Sequence, residues 1–270
     1  MQNILVHIDG GEASGARVSA AKDLAARLGV PVRGLIIASA PTPPYGPGAA
    51  GLASAMDMLT EQVRKEAAEI YARARSEYEI EADIIGTVAD RLIIDAASAM
   101  RMAGLVVIAP PTNKDGSYLD NDVFEAALFS SGRPALMVPG HWRKPIGGRA
   151  LIAWKDCREA ARAVHDALPL LKQADSVRMA SAVSHEDPNF FGQAAAERMQ
   201  AMLREAGVKL EGLSILEEQH GAGDALLRAS QDADLLVMGG YGRWRMTAWL
   251  FGGVTRHMLA DLRLPTLISR

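Results

Sequence analysis

Two glycine clusters, Gly239 to Gly242 and Gly252-Gly253, bracket nine residues from Arg243 to Phe251 near the end of the chain. Glycine has no Cβ, so backbone N–H groups at such positions can come within reach of a ligand. The apolar run Leu235 to Met238 before the first cluster suits a buried strand, and a helical pattern opens at Val254 after the second. A helix that starts near Gly253 directs unpaired N–H donors and the positive end of its dipole at an anion. The frame therefore suits a phosphate chain lying between the clusters. Arg243, Arg245 and Arg256 could add charge-assisted contacts, and the Thr255 hydroxyl could donate to a phosphate oxygen. Glycines at strand ends also serve turns alone, and exposed arginines are ordinarily solvated, so this chemistry leaves a purely structural role open.

The frame needs strands that end side by side, and the rest of the chain supplies them. Ile4 to Ile8 is an apolar run broken by His7 and ending in the turn Asp9-Gly10-Gly11. A helix follows, with Val18, Ala21, Ala25 and Leu28 at steps of three and four and a stop at Gly29 and Pro31. Strands are predicted at Val32 to Ala38, Ile80 to Ile85, Leu105 to Ala109 and Ala135 to Val138. Helices are predicted along the stripe Leu59, Val63, Ala67, Ile70 and Ala74, over Asp90 to Met102 and over Val123 to Phe129. The first of these gains support from the pairs Glu61 with Lys65 and Glu69 with Arg73. The pattern then restarts, with strands at Ala150 to Trp154, Ser176 to Val183, Val208 to Leu216, Leu235 to Met238 and Thr266 to Ser269. Val123 to Pro134 and Val254 to Pro265 each span eleven positions, so the ends of the two copies register without a gap. The chain divides into a first domain over 1–140, a linker over 141–149 and a second domain over 150–270. Each is an α/β unit with a five-stranded parallel sheet and helices on both faces.

Composition narrows the function classes. With 49% hydrophobic and 23% charged residues, the 270-residue chain can build packed cores. Its net charge of -3 gives no global pull toward nucleic acid or membrane. Cys157 is the only cysteine, which excludes an intrachain disulfide framework and a cysteine-rich metal site. Met1-Gln2-Asn3 runs straight into the first strand without the features of a signal peptide, and no apolar segment reaches the roughly 20 residues of a membrane span. A cytoplasmic protein is the expectation.

Gly239-x2-Gly242, nine intervening residues, then Gly252-Gly253-Val254-Thr255 resembles the ATP-loop signature of universal stress proteins, Gly-x2-Gly-x9-Gly-Ser/Thr. Ile4 to Glu12 resembles that family's opening strand and its Asp-Gly-Ser-Glu turn, and Arg263 to Ile268 resembles its closing proline-led strand. The resemblance covers essentially the whole chain. It implies a tandem member with a Rossmann-like fold of the adenine nucleotide alpha-hydrolase type. Fifth strands would pair within the chain as a pseudo-dimer, and further homodimerisation stays open. It also implies ATP, with or without magnesium, in the second half, and a stress-response sensor or adaptor with a protein partner not identified by the sequence. The implied contacts are Gly239, Gly242, Arg243, Gly252, Gly253, Val254 and Thr255 around phosphate. Ala153, Val183 and Met238 match positions that line the base or ribose, although each also fits ordinary core. For the adenine-side aspartate, ungapped alignment offers Lys155 and a one-residue shift offers Asp156; the latter is favoured, while Lys155 could equally reach a phosphate.

The chain departs from that signature in two ways. Gly253 stands where the family has Ser or Thr, removing a charged-group hydrogen bond worth roughly 1.5 to 3 kcal/mol. In the first half, Ala109-Pro110-Pro111-Thr112 follows the fourth strand, and Asn121-Asp122-Val123-Phe124 replaces the second glycine cluster. Proline has no N–H to donate, and Asp122 at a helix start would cap it and repel phosphate. No ATP is expected there by the family mode. The loops Pro41 to Met56 and Asn113 to Asp120 leave room for a different ligand that the sequence does not identify. No catalytic constellation is recognisable, and weak ATP hydrolysis is the most that is expected. The six histidines are scattered and read as surface or satisfied core residues, His185-Glu186-Asp187 lacks helical metal-ligand spacing, and no metal site is assigned. Cys157 reads as a small packed side chain.

Overall fold

The computed structural model describes residues 1–42, 53–111, 118–183, 193–217, 222–240, 259 and 262–270. In the first half, β1 (Ile4–His7), α1 (Ala13–Leu28), β2 (Val32–Ala40), α2 (Ala53–Ser76), β3 (Ala82–Val88), α3 (Leu92–Met100), β4 (Leu105–Ile108), α4 (Tyr118–Glu125) and β5 (Ala135–Met137) alternate in order. The second half repeats the scheme with β6 (Arg149–Ala153), α5 (Arg158–Leu171), β7 (Ser176–Val183), α6 (Gln193–Glu205), β8 (Leu210–Glu217), α7 (Ala222–Ala229), β9 (Leu235–Gly239) and β10 (Thr266–Ser269). The strands run β3-β2-β1-β4-β5-β10-β9-β6-β7-β8. Pairing is parallel within each half, and β5 meets β10 antiparallel, with Leu136 opposite Leu267. The two expected five-stranded sheets are thus one continuous ten-stranded sheet joined through the fifth strand of each half.

Burial follows position. The inner strands β1, β4, β5 and β10 are buried at every residue, as parallel strands covered on both faces must be. The edge strand β3 exposes Asp83, Ile84 and Gly86. Alternation along the strands sends Ile4, Val6, Leu136 and Leu267 into one apolar layer and Leu5, Val106, Met137 and Ile268 into the other. Each layer therefore crosses from one half to the other. Arg27 on α1 adds bonds to Ile146 O at 2.7 Å and Gln173 O at 2.9 Å.

Local differences from expectation have physical causes. Helix α1 ends at Gly29 as expected, with the left-handed backbone (φ 64°, ψ 38°) that glycine adopts without strain. On α2 the charge pairs are Glu61 with Arg64 and Arg73 with Glu77, and Leu59 at the outer end of the expected stripe is exposed. Helix α4 begins at Tyr118 and continues as a π-helical turn through Ser130, so Asp122 sits inside the helix instead of capping it. The charged and turn-prone residues Asp120 to Asp122 masked that earlier start.

Candidate functional site

Each half ends its parallel strands at one edge of the sheet, the two edges being opposite because β5 and β10 run antiparallel, and β1 and β6, with neighbours on either side, mark the place where such a sheet offers a crevice. In the second half this edge gathers Ala153, Lys155, Asp156, Val183, Met238 and Gly239. Ala153 pairs with Met238 on β9 and with Ala180 on β7, while Val183 closes β7. Lys155 and Asp156 are exposed in the turn between β6 and α5. Ile4 on β1 faces Leu105, the first residue of β4, and Ala150 on β6 faces Leu235, the first residue of β9. Counting forward from these equivalent pairs puts Lys155 at the place of Asp9, and Asp156 at that of Gly10. Gly242, Arg243, Gly252, Gly253, Val254 and Thr255 lie outside the described residues.

Two glycines of the frame have packing reasons to be small. A Cβ at Gly239 would lie 2.4 Å from Ala160 N and 2.6 Å from Glu159 C, in the first turn of α5. At Gly240 it would lie 2.4 Å from Ile268 Cγ2 on β10. Close approach of α5 to the end of β9 therefore requires Gly239 before any ligand is considered. At the same edge, Trp154 Nε1 and Ser269 Oγ are buried without a hydrogen-bond partner among the described residues. Glu159 is buried beside Arg158, with which it forms an ion pair.

The first-half crevice holds a cluster that residue spacing left unrecognised. Asp9 Oδ2 accepts from Arg17 Nη2 at 2.6 Å, and its Oδ1 accepts from Ser14 Oγ at 2.6 Å and Gly11 N at 2.9 Å. Arg17, only 1% exposed, also donates from Nε to His7 O at 3.0 Å. Burial opposes ionisation of Asp9, but the Arg17 charge and the Ser14 hydroxyl outweigh it and lower its pKa to about 2. His7 is also buried, and that burial, helped by the Arg17 charge and opposed by Asp9, lowers its pKa to about 4. It is not the satisfied core histidine expected, because its Nδ1 has no partner among the described residues. A cavity of about 320 Å³ opens beside these groups, lined also by Ser39 from β2, Glu66 from α2, and Leu119 and Asp122 from α4. Burial pushes the Asp122 carboxyl up from its ordinary range. The sequence signal for this cluster was present in His7, which interrupts an otherwise apolar strand, and in Arg17, eight residues after Asp9 on the inward side of α1.

A doubly wound α/β sheet with ligand-sized space at its carboxyl edge defines the class, and solved structures place the fold within it. The chain is similar over 99% of its length to a universal stress protein from Archaeoglobus fulgidus DSM 4304, covering 98% of that chain with a TM-score of 0.69 at 16% identity. It is similar over 100% of its length to a candidate universal stress protein from Pseudomonas aeruginosa UCBPP-PA14, covering 93% of that chain with a TM-score of 0.59 at 18% identity. A functionally unknown protein from Pseudomonas aeruginosa PAO1 matches over 100% of this chain and 92% of its own, with a TM-score of 0.56 at 18% identity. No protein-family model and no curated protein matches the sequence. At these identities the likeness is one of fold, and the fold is that of two-repeat universal stress proteins. No helix among the described residues is long and apolar enough to cross a membrane.

Proposed function

We propose that the protein is a universal stress protein that binds an adenine nucleotide, ATP with magnesium, in its second half. It acts in the cytoplasm as a sensor or adaptor whose choice of protein partner follows nucleotide occupancy. The observation that carries this reading is the spacing Gly239-x2-Gly242-x9-Gly252, which begins on the last residue of β9. That is the carboxyl edge of the sheet, where open α/β folds hold ligands. In this reading Ala153, Val183 and Met238 pack against the base and ribose, and Gly242, Gly252, Gly253 and Val254 offer backbone donors to phosphate. Arg243 and Thr255 add side-chain donors, and Asp156 or Lys155 approaches from the turn after β6. A cation at the place of Asp9 favours the phosphate role for Lys155 over the adenine-side role first preferred for Asp156. Turnover is weak at most, because no group is assigned to activate water.

One observation favours a second reading, a protein-interaction module in which the frame is a relic: Gly239 and Gly240 are explained by packing alone. The readings separate when purified protein is denatured and the released small molecules are identified by mass spectrometry. Nucleotide binding predicts adenine nucleotide released from wild type and absent from Gly242→Asp; a module predicts none from either. Timed phosphate release with magnesium ATP then distinguishes a sensor, with almost no turnover, from an ATPase.

A further inference from the structure

His7 closes β1 at the mouth of the first-half crevice, 1% exposed and with Nδ1 lacking a hydrogen-bond partner among the described residues. Native structures rarely leave a buried polar atom unsatisfied, so this one calls for a ligand or an explanation. A ring nitrogen of His7 and one carboxylate oxygen each from Asp9 and Asp120 all lie within 4.8 Å of one another. His7 and Asp9 come from the end of β1 and the turn after it, and Asp120 comes from α4. Glu66 and Asp122 line the adjoining cavity of about 320 Å³. Asp9, Glu66 and Asp122 thus line the cavity, and Asp120 adds a fourth carboxylate beside His7 and Asp9. Arg17 is itself engaged with Asp9 Oδ2 and with the His7 carbonyl. Carboxylates gathered at one cavity favour a cation there. Asp9 Oδ2 accepts only from Arg17 among the described residues, which leaves it a lone pair.

We propose that the first half binds one divalent first-row transition-metal ion through His7, Asp9 and Asp120. An imidazole nitrogen combined with carboxylate oxygens suits ions such as zinc, cobalt or manganese, whereas magnesium takes an all-oxygen octahedral shell. A tetrahedral ion with ligands at about 2.0 to 2.1 Å has them about 3.3 Å apart, so the three side chains need only draw together slightly. Three protein ligands leave a coordination position facing the cavity, open to water or to a small anionic ligand. This site involves no residue of the second half and stands independently of the nucleotide reading.

The test is a cobalt titration of the full chain after treatment with a chelator, followed by visible absorption. Wild type is expected to saturate at one ion per chain with the absorption of a nitrogen- and oxygen-ligated cobalt centre, and to ignore magnesium at the same concentration. His7→Leu and Asp120→Asn should each lose more affinity than the about 10- to 100-fold that removal of a group merely hydrogen-bonded to a ligand costs. Gly252→Asp should bind cobalt as wild type does. Thermal unfolding in chelator checks that each variant is folded; if His7→Leu is not, Asp120→Asn carries the test. Absence of cobalt binding by wild type, undiminished binding in the folded first-half variants, or equal affinity for magnesium would overturn the proposal.

Discussion

Arg17 ties Asp9 and the His7 carbonyl together at the carboxyl edge of the first half, and the charges of these residues contribute to the pH response of the fold. Removing one member of a buried ion pair strands the other, so Arg17→Met should lower unfolding free energy by about 3 to 5 kcal/mol in urea titrations. His7 titrates at about 4 in the folded chain against an ordinary 6.5. Between those values the unfolded chain binds the extra proton, so stability contributed by neutral His7 is complete above about pH 6.5 and is lost as pH falls toward 4. The loss amounts to about 3 kcal/mol. Asp9 is depressed to about 2 from 3.8, so its contribution holds above 3.8 and is lost as pH falls through 2. Urea unfolding in chelator should therefore show stability dropping between pH 6.5 and 4 in wild type. In His7→Leu that segment should be flat, and an unchanged slope there would remove His7 as the cause.

At the element scale, glycines separate packing from permissive geometry. Gly239→Ala would drive a Cβ into the backbone of α5, and overpacking of this kind costs about 1 to 3 kcal/mol or more. Gly86→Ala on the exposed edge strand β3 meets nothing within 4 Å and has no positive φ, so thermal unfolding should stay level or rise slightly. Equal effects of the two changes would contradict the packing of α5 against β9. The alternation of strands and helices was legible in sequence because each core strand is a short apolar run and α1 carries its own stop at Gly29. The start of α4 was not, because Asp120 and Asp122 look like cap residues and nothing local reveals that the helix continues through them. The crevice was hidden for a related reason. His7, Asp9, Arg17 and Asp120 meet only after β1 and β4 pair, and no spacing rule links residue 7 to residue 120.

For the whole molecule, the antiparallel seam between β5 and β10 makes one body of two repeats. Both apolar layers run across it, with Leu136 and Leu267 fully buried opposite each other. Unfolding should be a single transition, with tryptophan fluorescence and far-ultraviolet circular dichroism coinciding in urea; two separated transitions would mean that the halves are stable alone. Leu267→Ala should lower the stability of the whole chain by about 2 to 5 kcal/mol. The repeats share a scaffold but differ in the residues at their carboxyl edges, with Asp9 and its carboxylate neighbours at one and Lys155 and Gly239 at the other. Calorimetric titration with magnesium ATP tests the consequence of that difference most directly, comparing wild type, Gly252→Asp and His7→Leu. One nucleotide per chain is expected, lost in Gly252→Asp and retained in folded His7→Leu. No binding at millimolar ATP, two sites per chain, or binding that survives Gly252→Asp would contradict the proposed nucleotide site.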